Sequence, residues 1–151
     1  MENTELSYLA GLIDGEGCIS IVKTTVDKDL KSPRFRLRLT ITNTNKALMD
    51  WLASLGWCIL DKGNKNPRWK NCWQAVLNDR RAANLIRELK PLFRVKGDEA
   101  DVALEFQEHK DQFNGGSHSL GHRGAIQLSP DIVEYRNKLK ARLSELKHLN
   151  I

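Results

Sequence analysis

The stretch Leu9-Ala10-Gly11-Leu12-Ile13-Asp14-Gly15-Glu16-Gly17 decides how this chain is read. It closes a helix expected over residues 4–15, with Asn3 or Thr4 as its cap and with Gly15 and Gly17 as its stop. Glycine in a helix interior costs roughly 1 kcal/mol against alanine. Gly11 and Gly15 stand four apart and share one face, a spacing that lets another helix backbone approach closely. A helix crossing within the chain and a pairing of two copies both meet that spacing. The acids need their own account, because the C-terminal end of a helix dipole disfavours Asp14 and Glu16. If two copies of the helix pack side by side, two Glu16 carboxylates meet near one axis and repel unless a cation sits between them. Hard divalent ions such as Mg²⁺ prefer oxygen surroundings of this kind. The small-residue face and the acids together point to a dimer axis with a metal site on it.

Outward from this stretch the chain alternates strands and helices. A strand is expected over 18–25, with Ile19 and Ile21 alternating against Ser20 and Val22. A polar turn over 27–33 leads to the clearest strand in the sequence. There Phe35, Leu37, Leu39 and Ile41 take one face, and Arg34, Arg36, Arg38, Thr40 and Thr42 take the other. A helix over 45–55 follows, closed by Gly56, then strands over 57–61 and 69–78 and a third helix after Asp79, with Pro91 close behind. An acidic helix over 98–113 and a glycine- and histidine-containing loop over 114–124 precede a last helix. That helix opens on Ser129 as cap and Pro130 at its first position. Hairpins joined by helices imply an α+β fold, α-β-β-α-β-β-α with extra C-terminal helices, built on an antiparallel sheet with helices on one face. At 151 residues the chain fits one domain, with a core over about 4–112 and a C-terminal loop and helix over 113–151.

Charge is unevenly spread. The chain carries a formal net charge of +5, and residues 18–81 hold thirteen Lys/Arg against five Asp/Glu. Residues 97–111 hold six acids and one Lys. A basic half of this kind fits an anionic partner such as nucleic acid, although a solvated basic surface fits it too. Three cysteines, Cys18, Cys58 and Cys72, without C-x-x-C spacing, argue against a disulfide framework or zinc site and fit a reducing intracellular compartment, the cytoplasm of a prokaryote or an organelle. No basic n-region with an apolar run opens the chain, and no stretch approaches a membrane span. Trp51, Trp57, Trp69 and Trp73 read as core or sheet packing. His118 and His122 lack further ligands nearby. The cations Arg136, Lys138, Lys140, Arg142 and Lys147 read as a solvated helix face, with contact to phosphates open to it.

Residues 8–19, YLAGLIDGEGCI, resemble the motif of the LAGLIDADG homing endonucleases. Gly15 stands where that motif has alanine and Glu16 where it has aspartate, both frequent variants in the family. The resemblance extends over about 6–111, and the expected order of elements is also the family's. It implies that Glu16 is the metal-binding acid, with the Gly15 carbonyl as a second ligand, and that Asp14 has a mainly structural role. It implies a dimer interface through Leu9, Ala10, Gly11, Leu12, Asp14 and Gly15. A second match lies at Leu89-Lys90-Pro91-Leu92-Phe93-Arg94-Val95-Lys96, where Lys96 fits the lysine that sits beside the scissile phosphate. Asn43 is the nearest candidate for the polar side chain that organises water. The fold implied lays its sheet over the DNA major groove. Arg34, Arg36, Arg38, Thr40 and Thr42 would then face DNA, with Ser20, Val22 and Thr24 of matching parity and Lys62, Arg68, Lys70 and Gln74 as weaker candidates.

One motif per chain implies one half-site per subunit, and so a homodimer. The expected activity is site-specific cleavage of double-stranded DNA at a pseudo-palindrome of about two helical turns. The resemblance implies dependence on Mg²⁺, with Mn²⁺ substituting and Ca²⁺ binding without supporting cleavage. It also implies short 3′ overhangs and the spread of an intron or intein gene. An RNA-binding maturase and a catalytically dead DNA-binding regulator are the alternatives on the same scaffold. The retained acid and Lys96 count against a purely RNA role, and a dead regulator would usually have lost Glu16.

Overall fold

Period-two alternation of apolar with arginine and threonine makes Arg34–Asn43 an extended strand with one face for a core and one for water. The computed structural model describes residues 1–24, 33–113 and 128–149. The expected turn over 27–33 (apart from Pro33) and the expected loop with His118 and His122 lie outside the described residues. The elements run α1 (Asn3–Glu16), β1 (Gly17–Thr24), β2 (Arg34–Asn43), α2 (Lys46–Ser54), β3 (Cys58–Gly63), β4 (Cys72–Asn78), α3 (Asp79–Leu89), α4 (Gly97–Phe113) and α5 (Pro130–Leu149), with a 3₁₀ turn at Lys90–Leu92. The four strands pair antiparallel in the order β1-β2-β4-β3. This is the expected α+β architecture with the expected order of elements.

Ile19, Ile21, Phe35, Leu37, Leu39, Ile41, Ala75 and Leu77 line the helix-facing side of the sheet and are all buried. They join Leu9 and Ile13 of α1, Met49 and Leu52 of α2, Ile86 and Leu89 of α3, Phe106 of α4, and Leu139 and Leu143 of α5 in one apolar cluster. Each large aliphatic side chain buried there stabilises by about 1.5–3 kcal/mol. The C-terminal helix, beyond the stretch that carries the family resemblance, therefore contributes to the same core.

Several local expectations are corrected. The cap of α1 is Glu2, whose backbone N–H donates to the Glu5 carboxylate at 3.3 Å, instead of Asn3 or Thr4. The helix also runs through Gly15 to Glu16, so Gly17 alone ends it. A Cβ on Gly17 would lie 2.8 Å from both the Cα and the carbonyl oxygen of Ile13, which makes this tight exit from helix to strand specific to glycine. β4 begins at Cys72, later than the alternation suggests. Trp69 is left in a turn, with its N–H donating to the Asn66 carbonyl, and is 61% exposed instead of packed. Trp57 is buried, and Trp51 and Trp73 are partly buried. Arg136, expected in solvent, is buried on the inner face of α5, with its guanidinium carbon 6.0 Å from the centre of the Phe35 ring. Burial pushes its pKa below the usual arginine value. Lys147 reaches Cys18 Sγ at 3.3 Å, so this cation too serves the contact between α5 and β1.

One polar contact joins the end of α1 to the start of α4. The Asp14 carboxylate accepts the backbone N–H groups of Arg94 at 2.8 Å, Val95 at 3.3 Å and Lys96 at 3.0 Å. The Lys96 ammonium returns a hydrogen bond to the Asp14 carbonyl at 2.8 Å. Helix ends carry orphan donors and acceptors. Here one acid serves the segment that leads into α4, and one lysine serves the last turn of α1, which has no basic residue of its own.

Two outcomes are expected from these contacts. Gly17→Ala forces its methyl against backbone, not against the movable tip of a side chain, and should destabilise by about 1–3 kcal/mol. Asp14→Ala leaves three N–H groups without their acceptor and should cost about 1.5–3 kcal/mol, with Asp14→Asn milder because one acceptor oxygen remains. Urea unfolding midpoints of the three variants against the parent chain check both statements.

Candidate active site and nucleic-acid interface

Glu16 is the last residue of α1, and its carboxylate is exposed. Its Oε2 accepts a hydrogen bond from Asn43 Nδ2 at 2.8 Å. Asn43 ends β2, and its own Oδ1 accepts the N–H of Asn45 at 2.8 Å, so the amide is fixed from both sides. Lys96 is tied to the same helix end through the Asp14 carbonyl. The three residues expected to carry chemistry, Glu16, Asn43 and Lys96, thus come from α1, β2 and the segment before α4 and gather at the C-terminal end of α1. Asn43 holds Glu16 directly, a contact that the sequence reading did not include.

The donors here are hard oxygens, the carboxylate of Glu16 and the carbonyls of the last turn of α1, Gly15 among them, which suit Mg²⁺ more than a softer metal. One chain offers too few of them. Among the described residues no group of three or more His, Cys, Asp or Glu is placed to hold a metal ion. The residues therefore fit a divalent cation only as part of a larger ligand set.

The expected dimer residues divide into two groups. Leu9 and Ala10 are buried in their own chain's core, and the Asp14 carboxylate is engaged with residues 94–96, so these three do not present side chains to a partner. Their inward placement follows from the helix period, which puts Leu9, Ala10 and Ile13 on the core side. Gly11 and Gly15 lie on the open side, and Leu12 is half-buried between the two groups. A Cβ built on Gly11 or Gly15 meets no described atom within 4 Å. Tyr8 shares this side, 56% exposed, with its ring edge against Trp51 at 5.5 Å between centroids.

On the far side of the sheet from the helices the register pairs Ser20 with Arg38, Val22 with Arg36 and Thr24 with Arg34, so the expected parity of β1 and β2 is the observed one. Arg34, Arg36 and Thr42 are exposed, and Ser20, Val22 and Arg38 are half-buried. Thr40 is a correction. It shares the face but is only 8% exposed, because it sits mid-sheet between Cys18 of β1 and Val76 of β4. Gln74 lies opposite Thr42 and donates to its hydroxyl at 3.5 Å. Lys62, Arg68 and Lys70 are exposed, Lys62 at the irregular end of β3 and the other two in the connection to β4. No helix among the described residues is long and apolar enough to cross a membrane.

No family model matches this chain, and no curated protein matches it. Solved structures do. The archaeal intron-encoded homing endonuclease I-Vdi141I, complexed with DNA, superposes with a TM-score of 0.72 at 17% identity over 97% of this chain and 86% of that one. The homing endonuclease I-CvuI, in complex with its target in the presence of calcium, gives 0.69 at 16% identity over 95% and 82%. The meganuclease I-SmaMI bound to DNA gives 0.64 at 14% identity, but there 90% of this chain spans only 43% of the other. Likeness over nearly the whole chain shows that this protein has the fold of the LAGLIDADG homing endonucleases.

Proposed function

We propose that this chain is a homodimeric, metal-dependent homing endonuclease that cuts both strands of a long pseudo-palindromic DNA site and leaves short 3′ overhangs. The observation that carries the reading is the end of α1. There an exposed carboxylate, Glu16, is held by Asn43 beside a face of two glycines that no described atom of the chain covers. A second copy about a two-fold axis would cover that face and bring a second Glu16 to the first. The chain also matches less than half of I-SmaMI, a protein long enough to hold two such units. The outward face with Arg34, Arg36 and Arg38 suits the major groove and its phosphates.

Glu16, with the Gly15 carbonyl, would hold Mg²⁺ or Mn²⁺ between the subunits and the DNA. Ca²⁺ would bind there without supporting cleavage. When bound, such an ion supplies a Lewis acid that activates water and offsets charge on the leaving oxygen. Asn43 keeps the Glu16 carboxylate in one orientation. Lys96, fixed through the Asp14 carbonyl, provides positive charge where the phosphate develops its negative charge. The thiols of Cys18, Cys58 and Cys72 are free, which suits a reducing compartment for this activity.

Cleavage of a plasmid library of pseudo-palindromic sites tests the activity. With Mg²⁺ the protein should cut a subset of sites, whereas Glu16→Gln should lose cutting by at least about 100-fold yet still bind the selected site in Ca²⁺. Cutting by a purified Glu16→Gln dimer at the parent rate would remove this residue from the mechanism. The pairing is checked by sedimentation. Gly11→Leu and Gly15→Leu should convert a dimer into monomer or aggregate, because a large side chain keeps the two helices from touching. Two well-folded dimeric variants would place the interface elsewhere.

A further inference from the structure

Three arginines share one face of β2, and the end of β4 treats them differently. Arg38 Nε–H donates to Asn78 Oδ1 at 3.4 Å, and Asn78 is its register partner across the strands. The next residue, Asp79, takes Arg36, with Oδ2 lying 3.3 Å from Nε. The other carboxylate oxygen of Asp79 lies 2.8 Å from the Lys110 ammonium of α4. Exposure rises along this relay, from 16% for the Lys110 side chain to 28% for Asp79 and 54% for Arg36. Asp79 is thus pinned by a cation beneath the sheet and in turn holds a guanidinium whose outer part stays in solvent. Arg34 has no hydrogen-bond or ion-pair partner among the described residues.

The backbone at this junction is also unusual. Asp79 has φ +51°, and it is the one non-glycine residue with positive φ among those described. Left-handed backbone is unfavourable for a non-glycine residue, with Asp and Asn the least penalised. The Arg36 pair, exposed on the arginine side, contributes little to stability, whereas the better covered Lys110 pair serves to hold Asp79 in place. Stability therefore accounts for the Lys110 contact but not for the grip on an arginine of the open face.

Recognition does account for it. A guanidinium held at Nε keeps its two terminal nitrogens for another partner and has less freedom to lose on binding. Two N–H donors at a fixed place match the O6 and N7 acceptors of guanine in the major groove. We infer that Asn78 and Asp79 are positioning residues that hold Arg38 and Arg36 by Nε and make these two the guanine readers of each half-site, while Arg34, which no described residue holds, contacts phosphate. This inference rests on the DNA-cleaving function proposed above.

The test compares the parent chain with Arg36→Ala, Arg34→Ala, Asp79→Asn and Asp79→Gly by binding-site selection in Ca²⁺, with affinities measured across a salt series. Asparagine tolerates the left-handed backbone and glycine adopts it freely, so at least one Asp79 variant keeps the junction. Both Asp79 variants should lose preference for guanine at the position that Arg36→Ala relaxes, by about tenfold. Adding Asp79→Asn to Arg36→Ala should change nothing further, since the two act on one contact. Arg34→Ala should weaken all sequences alike and flatten the salt dependence. A purely structural Asp79 would lower the melting temperature, or weaken all sites equally, and leave the guanine preference intact; that result overturns the inference. Specific binding with no guanine position sensitive to Arg36 overturns it too, with the proposed function left standing. A parent chain without sequence-specific binding to duplex DNA overturns both.

Discussion

The Asp14 carboxylate organises the end of α1. A negative charge near a helix C-terminus is unfavourable by itself. Here it faces three N–H groups of residues 94–96, just ahead of α4, where negative charge is favoured. The disfavoured end of one helix and the favoured end of another thus share one carboxylate. The return bond from Lys96 to the Asp14 carbonyl places a cation at the end of α1 that its own sequence lacks. From this pair follow the path of the chain into α4 and the presence of a lysine near Glu16. With Gly17 allowing an immediate turn into β1, the same point also fixes where the sheet starts.

The sheet transmits this placement outward. Because side chains alternate strictly, burying Leu37, Leu39 and Ile41 under the helices obliges Arg36, Arg38 and Thr42 to face away from them. A slip of one residue would put arginines into the core, so the apolar face enforces the polar one. Asn43, the last residue of the same strand, is where the two functions of β2 meet. The strand bears three arginines over its first half, and at its end it fixes the carboxylate expected to do chemistry.

What the sequence made legible was local and periodic. The alternation in β2 and the Gly56 closure of α2 depend on neighbours a few residues apart, and the structure has both. The motif at 9–17 carried the family resemblance and the fold. Contacts between distant segments were not legible. Nothing in the spacing announces that Asp14 bonds residues 80 to 82 positions away, that Asn43 reaches Glu16, or that Asp79 grips Arg36. Arg136 departs from its expected exposure for a related reason. Charge predicts exposure only when nothing covers the residue, and α5 packs this face down over the Phe35 ring. Trp69 fails in the opposite sense, since an aromatic ring is buried only if its strand continues, and β4 starts three residues later.

Helix propensity gives the argument for pairing its quantitative edge. Gly11 and Gly15 together lower the intrinsic stability of α1 by about 2 kcal/mol relative to alanine. By contrast, Gly17 answers to the Ile13 backbone and Gly56 to its left-handed conformation. At 11 and 15 alanine would fit a single copy of the chain with no described atom in the way. The proposed dimer supplies a reason, for glycine gives two such helices the closest backbone approach. Touching helices would bring their C-terminal ends together, and with them two Glu16 carboxylates that would need divalent cation to offset their repulsion. The same two glycines would then set both the association of the subunits and the spacing of the acids. On that account the small-residue face and the metal site are parts of one device, and a change that opens the interface would also dismantle the site.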